Sequence, residues 1–147
     1  MPKLLSQAIS TGAHGRRKMV NDYFSAGLTS CCVLGAAMLA EFGASEVTRI
    51  FNGFPKSYGA ILSNRLQKVF PIMFNTNEMV GKLYDQLVEF GVDGLQPKGE
   101  QGLAELMVLA NDQSPMTHCE IAAFVALAEQ SDASAMQLNA PAEVACQ

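Results

Sequence analysis

The chain has 147 residues, a formal net charge of −4 and 49% hydrophobic residues. This length is typical of one domain with a sizeable core, and the composition excludes a disordered polar chain. No uncharged apolar stretch reaches the roughly 18 residues of a membrane span, and no basic-then-apolar leader is present, so we expect no membrane span and no secretory signal.

The cysteines bear on the compartment of the protein, and the charges bear on how its two halves interact. The four cysteines, which are too irregularly spaced for a disulfide framework, are Cys31, Cys32, Cys119 and Cys146. We therefore expect reduced thiols and a cytoplasmic location. Residues 1–68 carry eight basic against three acidic residues, and residues 69–147 carry two against eleven. The balances of +5 and −9 favour halves that complement each other, within one fold or across a dimer.

The predicted elements are all helical, and no stretch alternates polar and apolar residues as a strand does. The most apolar helix spans residues 31–42, with Ser30 as its N-cap and Gly43 at its end. Because this helix has no polar stripe, we expect it to be buried on all sides. Helical spacing also occurs in residues 3–10, 17–26, 57–69, 78–90, 103–110 and 117–130, and Ser45 can cap a short helix over residues 46–51.

These elements predict a single all-α domain over residues 1–130, with six or seven short helices around the central helix. Residues 131–147 lack an apolar face, so we expect a loosely ordered C-terminal tail. Thr117 and Glu120 have the spacing of a capping box at the start of the last helix. Asn111 and Asp112 suit a tight connection before it, because their side chains bond to local backbone.

Two cysteines are candidates for nucleophilic chemistry. Cys31 and Cys32 fall in the first turn of the central helix, where the helix N-terminus lowers a thiol pKa. His118 could act as the base, with Asp112 or Asn111 to orient its ring. The alternative, that both are core cysteines, is the more common role for such residues.

Metal and anion sites have weaker signals. His118 is adjacent to Cys119 and His14 stands alone, so no set of paired ligands exists, and we expect no metal and no cofactor. The run Arg16, Arg17 and Lys18 follows a glycine-containing loop that could accept phosphate or nucleic acid. It lacks the spacing of a Walker A or dinucleotide motif, and a solvated basic loop is the alternative.

Two motifs together resemble an uncharacterised family of small phage and bacterial proteins, a domain of unknown function. One is a Cys-x-Leu-Gly-Ala helix start, and the other is an Asn-Asp pair followed by Glu-Ile-Ala. The matching residues are Cys32, Leu34, Gly35, Ala36, Asn111, Asp112, Glu120 and Ile121. The resemblance implies a fold and a phage or bacterial origin, but no activity. We expect the Asn-Asp pair to pack near the start of the central helix, because these are the two signatures.

The resulting prediction is a non-enzymatic helical interaction or regulatory protein, acting through a protein partner or as a homodimer. Its support is the lack of a convergent catalytic set and the complementary charge of the two halves. Two alternatives stay open. One is a cysteine-dependent hydrolase or transferase that uses Cys31 or Cys32 with His118. The other is a nucleic-acid-binding accessory protein that uses Arg16, Arg17 and Lys18.

Overall fold

The computed structural model describes residues 3–134, which form one all-α domain, as predicted. The seven helices are α1 (Leu5–Ala13), α2 (Val33–Phe42), α3 (Ala44–Gly53), α4 (Tyr58–Val69), α5 (Glu78–Phe90), α6 (Leu103–Gln113) and α7 (His118–Ser134). A 3-10 turn (Pro71–Phe74) joins α4 to α5. Within residues 3–134, no helix is long and apolar enough to cross a bilayer.

A two-stranded ribbon is the one sheet among the described residues. Strands β1 (Arg17–Lys18) and β2 (Ser30–Cys31) pair in parallel, with Arg17 opposite Ser30. The sequence gives no sign of this ribbon because two residues are too few to show a period of two. The ribbon brings the chain back to the start of α2.

Helix α2 lies at the centre of the domain because it has no polar face. Its first seven residues, 33–39, are all buried. Helices α1, α3, α4 and α6 all pack against it. Each large aliphatic side chain transferred from water in this way contributes about 1.5–3 kcal/mol. The prediction of a central buried helix is therefore confirmed, but the helix starts at Val33 rather than residue 31, and its N-cap is Cys32 and not the predicted Ser30, which lies in β2.

Two glycines allow backbone to reach α2 directly. A Cβ on Gly12 of α1 would lie 1.7 Å from the carbonyl oxygen of Ala36. A Cβ on Gly35 would lie 2.2 Å from the carbonyl oxygen of Tyr23. Real Cβ atoms do not approach backbone so closely, so any side chain at these positions would push α1 or the 19–24 loop away from α2.

The last helix caps the first. Helix α1 begins after Leu4, which has no side-chain cap of its own. Buried Glu129 of α7 accepts hydrogen bonds from the backbone N–H of Leu5 at 2.6 Å and from the Ser6 hydroxyl at 2.5 Å. Burial raises the pKa of Glu129, and these hydrogen bonds partly oppose that shift.

Because α7 extends to Ser134, residues 131–134 belong to a helix and not to the predicted tail. The rest of that tail lies outside the described residues.

The predicted helix over residues 17–26 is wrong. After β1 the chain forms an irregular loop, in which Asn21 takes a left-handed φ of 64°. Its backbone groups bond to distant residues and not along a helix: the Met19 N–H donates to the Cys31 carbonyl, and the Tyr23 carbonyl accepts from the Cys32 N–H. The apolar spacing of the segment therefore serves packing beside α2 and not a helix.

The close approach at Gly35 predicts a specific loss of stability. Gly35→Ala should lower the free energy of unfolding by about 1–3 kcal/mol, because the new methyl group collides with the Tyr23 carbonyl. Gly53→Ala is the matched control, since a Cβ there meets no atom within 4 Å. Urea denaturation followed by circular dichroism measures both. Equal stability of the two variants would contradict the close packing.

Candidate functional site

Asn111 is a buried polar side chain that joins three parts of the chain. It is 1% exposed. Its Oδ1 accepts from the Val33 N–H at 3.0 Å, and its Nδ2 donates to the Met19 carbonyl at 2.7 Å and to Asp112 Oδ1 at 2.9 Å. We call this set of hydrogen bonds the Asn111 junction. It confirms the expected position of the Asn-Asp pair near the start of the central helix.

The predicted turn at Asn111 and Asp112 is wrong, because both lie in the last turn of α6, which continues to Gln113. Asp112 does not orient His118. Its Oδ1 accepts instead from the backbone N–H of Asn21 at 3.0 Å and from Asn111. The pair therefore bonds to long-range backbone, and this long-range pairing outweighs the local turn preference of the two residues.

The two cysteines precede the central helix and do not lie in its first turn. Cys31 is in β2, and Cys32 is the N-cap, whose Sγ accepts from the Gly35 N–H at 3.3 Å. Cys31 is fully buried and Cys32 is 8% exposed. Burial raises the pKa of Cys31 to about 11 and that of Cys32 to about 12. The shift is opposite to the one that a nucleophilic thiol requires.

His118 does lie beside Cys31, as the catalytic alternative requires, but the contact has the wrong chemistry. Its Nε2 is 2.8 Å from the Cys31 carbonyl oxygen and 4.0 Å from Cys31 Sγ. A carbonyl only accepts, so Nε2 carries the hydrogen and has no lone pair for the thiol proton in a neutral ring. Burial lowers the pKa of His118, which favours that neutral ring. The arrangement ties α7 to β2.

The basic run is divided between structure and solvent. Arg16 donates from Nε to the Leu28 carbonyl at 2.6 Å and from Nη1 to the Gly12 carbonyl. Lys18 Nζ donates to the carbonyls of Met116 and Ser114. Arg17 is exposed. Arg16 and Lys18 line a cavity of about 320 Å³ with His118, but their bonds to carbonyls fix loops and do not form an open basic surface.

The remaining motif residues are structural. Thr117 and Glu120 form the predicted capping box: the Glu120 N–H donates to Thr117 Oγ1 at 3.2 Å, and the Thr117 N–H donates to Glu120 Oε1 at 3.1 Å. The others are buried in the core, at Leu34, Gly35, Ala36 and Ile121. Within residues 3–134, no three His, Cys, Asp or Glu side chains converge as a group that could hold a metal ion.

A cleft of about 530 Å³ opens beside the Asn111 junction. Its walls are the 19–24 loop, the starts of α2 and α4, and the end of α6. Tyr58 Oη donates to Asp22 Oδ1 at 2.6 Å across the cleft. Burial, together with the Asp22 carboxylate, raises the pKa of Tyr58. Sequence reasoning missed Asp22, Tyr23 and Tyr58, because they come from separate elements and share no local pattern.

Comparisons with protein-family models, with curated proteins and with solved structures found no match to this chain. The resemblance to a phage and bacterial family therefore stays a prediction.

The Asn111 junction predicts a large effect of one amide. Asn111→Ala should lower the free energy of unfolding by about 2–5 kcal/mol, because it leaves the buried Val33 N–H and the half-buried Met19 carbonyl without the partner that Asn111 provides. Asn52→Ala is the matched control at an exposed position of α3. Chemical denaturation measures the stability of both variants. A loss of less than about 1 kcal/mol in Asn111→Ala would contradict the junction.

The raised thiol pKa values predict slow alkylation. At pH 8, Cys31 and Cys32 should react with iodoacetamide at least about 100-fold more slowly in the folded protein than in urea, because the folded thiols are almost entirely protonated. Mass spectrometry of the peptide that contains both residues measures the rates. Rapid labelling at pH 7 would revive the catalytic alternative.

Since the folded thiols hold their protons more tightly, the free energy of unfolding should also fall as pH rises above the unfolded thiol pKa, about 8.5.

Proposed function

We propose that the protein is a non-enzymatic interaction protein that acts as a homodimer, in which the basic half of one copy meets the acidic half of the other. The observation that carries the proposal is the distribution of ion pairs. A cytoplasmic location and a phage or bacterial origin are part of the proposal.

The ion pairs of residues 3–134 all stay within one half of the chain. Those of the basic half are Lys3–Glu41, Arg49–Glu46 and Arg65–Glu46. That of the acidic half is Lys98–Asp85. No ion pair of the described residues therefore joins the two halves, and the attraction of Lys18 to Asp112 and Glu120 acts between them without an ion pair. Complementarity between molecules is the interpretation that this distribution supports.

Each half also presents exposed apolar side chains. In the basic half, Phe51 and Phe54 at the α3–α4 turn are 37% and 49% exposed, and Lys56 follows in the same turn. In the acidic half, Val88 and Phe90 at the end of α5 are 53% and 40% exposed, and Glu89 lies between them. Aromatic anchors beside charged residues are typical of protein interfaces.

The two alternatives have less support. A cysteine nucleophile would need a lowered thiol pKa and an available base, whereas burial raises the pKa of both thiols and His118 Nε2 donates to a carbonyl. A nucleic-acid surface would need free cations, whereas Arg16 and Lys18 bond to backbone carbonyls.

Sedimentation velocity tests the homodimer. The wild-type protein should sediment as a dimer at low salt, and the dimer should weaken as salt is raised, because ions screen the attraction between oppositely charged surfaces. Phe54→Ser should weaken dimerisation by at least about tenfold, since it removes an exposed aromatic anchor. Leu127→Ser is the matched control, because Leu127 is 43% exposed but belongs to α7 and not to the α3–α4 turn or the end of α5.

A monomer at all salt concentrations would overturn the proposal, as would a dimer that both variants weaken equally. A dimer that tightens with salt would show an apolar interface without the charge complementarity proposed, and would also count against it.

A further inference from the structure

We propose that the 530 Å³ cleft beside the Asn111 junction binds an organic cation, a ligand with an ammonium or guanidinium group. Its volume lies within the range of about 300–1,000 Å³ that is usual for small-molecule sites. The proposal does not depend on the homodimer. It rests on four features of the cleft: oriented carboxylates, paired tyrosines, the charge balance and the apolar wall.

Two carboxylates of the cleft are held in place by one oxygen each. Asp22 Oδ1 accepts from Tyr58 Oη at 2.6 Å and from the Tyr23 N–H at 2.8 Å. Asp112 Oδ1 accepts from the N–H of Asn21 at 3.0 Å and from Asn111 Nδ2 at 2.9 Å. Within residues 3–134, neither Oδ2 accepts a hydrogen bond and neither carboxylate forms an ion pair. Both are therefore oriented and retain an oxygen for a charged donor.

Two tyrosines supply aromatic surface at the same place. The rings of Tyr23 and Tyr58 meet edge to face, with centroids 6.0 Å apart and an interplanar angle of 76°. Both line the cleft and both are half-buried. The face of a tyrosine ring attracts a cation within about 6 Å through its quadrupole. The Tyr58 ring also packs against Phe51 and Phe24, so the ring surface left for a cation is the part that lines the cleft.

The charge balance of the cleft favours a cation over an anion. Asp22 and Asp112 contribute two negative charges, and Lys56 is the one basic residue in the described lining. The N–H groups at the start of α2 are already used, that of Val33 by Asn111 and that of Gly35 by Cys32 Sγ. An anion would therefore face two carboxylates and would gain no donors from α2, so that the start of α4, where Ser57 provides no side-chain cap, is the one helix N-terminus of the described lining open to it.

The apolar part of the lining defines the rest of the ligand. Val108, which is 38% exposed, lies beside the polar groups in the cleft wall. It would contact the hydrocarbon portion of the ligand while the carboxylates hold its charged group. A free alkylamine or alkylguanidine has this chemistry, and so does a lysine or arginine side chain of another protein.

The test is a titration followed by ¹H–¹⁵N NMR of the full chain. The probes are n-butylguanidinium, a free cation, and N-acetyl-arginine amide, which carries the same group on a peptide unit. N-acetyl-citrulline amide is the uncharged control. We expect saturable shifts at the amides of Asp22, Tyr23, Tyr58 and Asp112 with both cations and none with citrulline. Tighter binding of the arginine amide would indicate a protein side chain as the source, and tighter binding of butylguanidinium a free ligand.

Charge variants separate binding from folding. Asp22→Asn keeps the Oδ1 acceptor and should weaken binding by at least about fivefold, whereas Asp93→Asn removes the same charge outside the cleft and should leave binding unchanged. Lys56→Gln should tighten binding by about twofold or more, because it removes the opposing charge. A damaged fold would not produce that gain.

Absence of saturable shifts in the wild-type protein would overturn the proposal, and so would equal binding of citrulline. Unchanged affinity in both Asp22→Asn and Lys56→Gln would also overturn it. Phe90→Ser, at the exposed end of α5 and outside the cleft lining, should bind the cations like the wild-type protein, so that failure of the homodimer and failure of the cleft are distinguished.

Discussion

The buried amide of Asn111 is the interaction on which the rest of the structure depends. Helix α2 has no polar stripe, so its amino end lies inside the protein, away from water. The free N–H groups of that turn need partners there, and a buried N–H without one costs about 1–3 kcal/mol. Asn111 Oδ1 serves Val33 and Cys32 Sγ serves Gly35. The apolar helix is therefore possible because α6 supplies an amide at this point.

The same requirement determines the chemistry around it. Capping α2 from within places Cys31 and Cys32 under the neighbouring helices, where burial raises the pKa of both thiols. It also fixes the loop that carries Asp22, because Asn111 and Asp112 bond to its backbone. The start of this helix resembles a nucleophile site in sequence, but its two thiols are buried. The polar groups left open to a ligand lie beside it, in the cleft.

Local patterns predicted much of the fold. The bounds of α5, the buried α2 and the Thr117–Glu120 capping box follow from spacing within a few residues. The 19–24 loop did not follow, because its backbone bonds to residues 31, 32, 111 and 112, and a helical spacing of apolar residues does not reveal such partners. The cleft was missed for the same reason: Asp22 and Tyr58 are 36 positions apart and belong to different elements. The sequence named the Asn-Asp pair, but through a motif and not through a physical argument.

The carboxylate that caps α1 has a consequence for how the chain acquires its structure. Glu129 lies 124 positions beyond Leu5, whose N–H it accepts. During synthesis α1 emerges long before α7, so its amino end has to wait in water for its partner. A helix of nine residues is too short to be stable alone. Helix α1 therefore gains its full stability only when nearly the whole domain has left the ribosome. Of the seven described helices it is made first, and it is among the last to be fully stabilised.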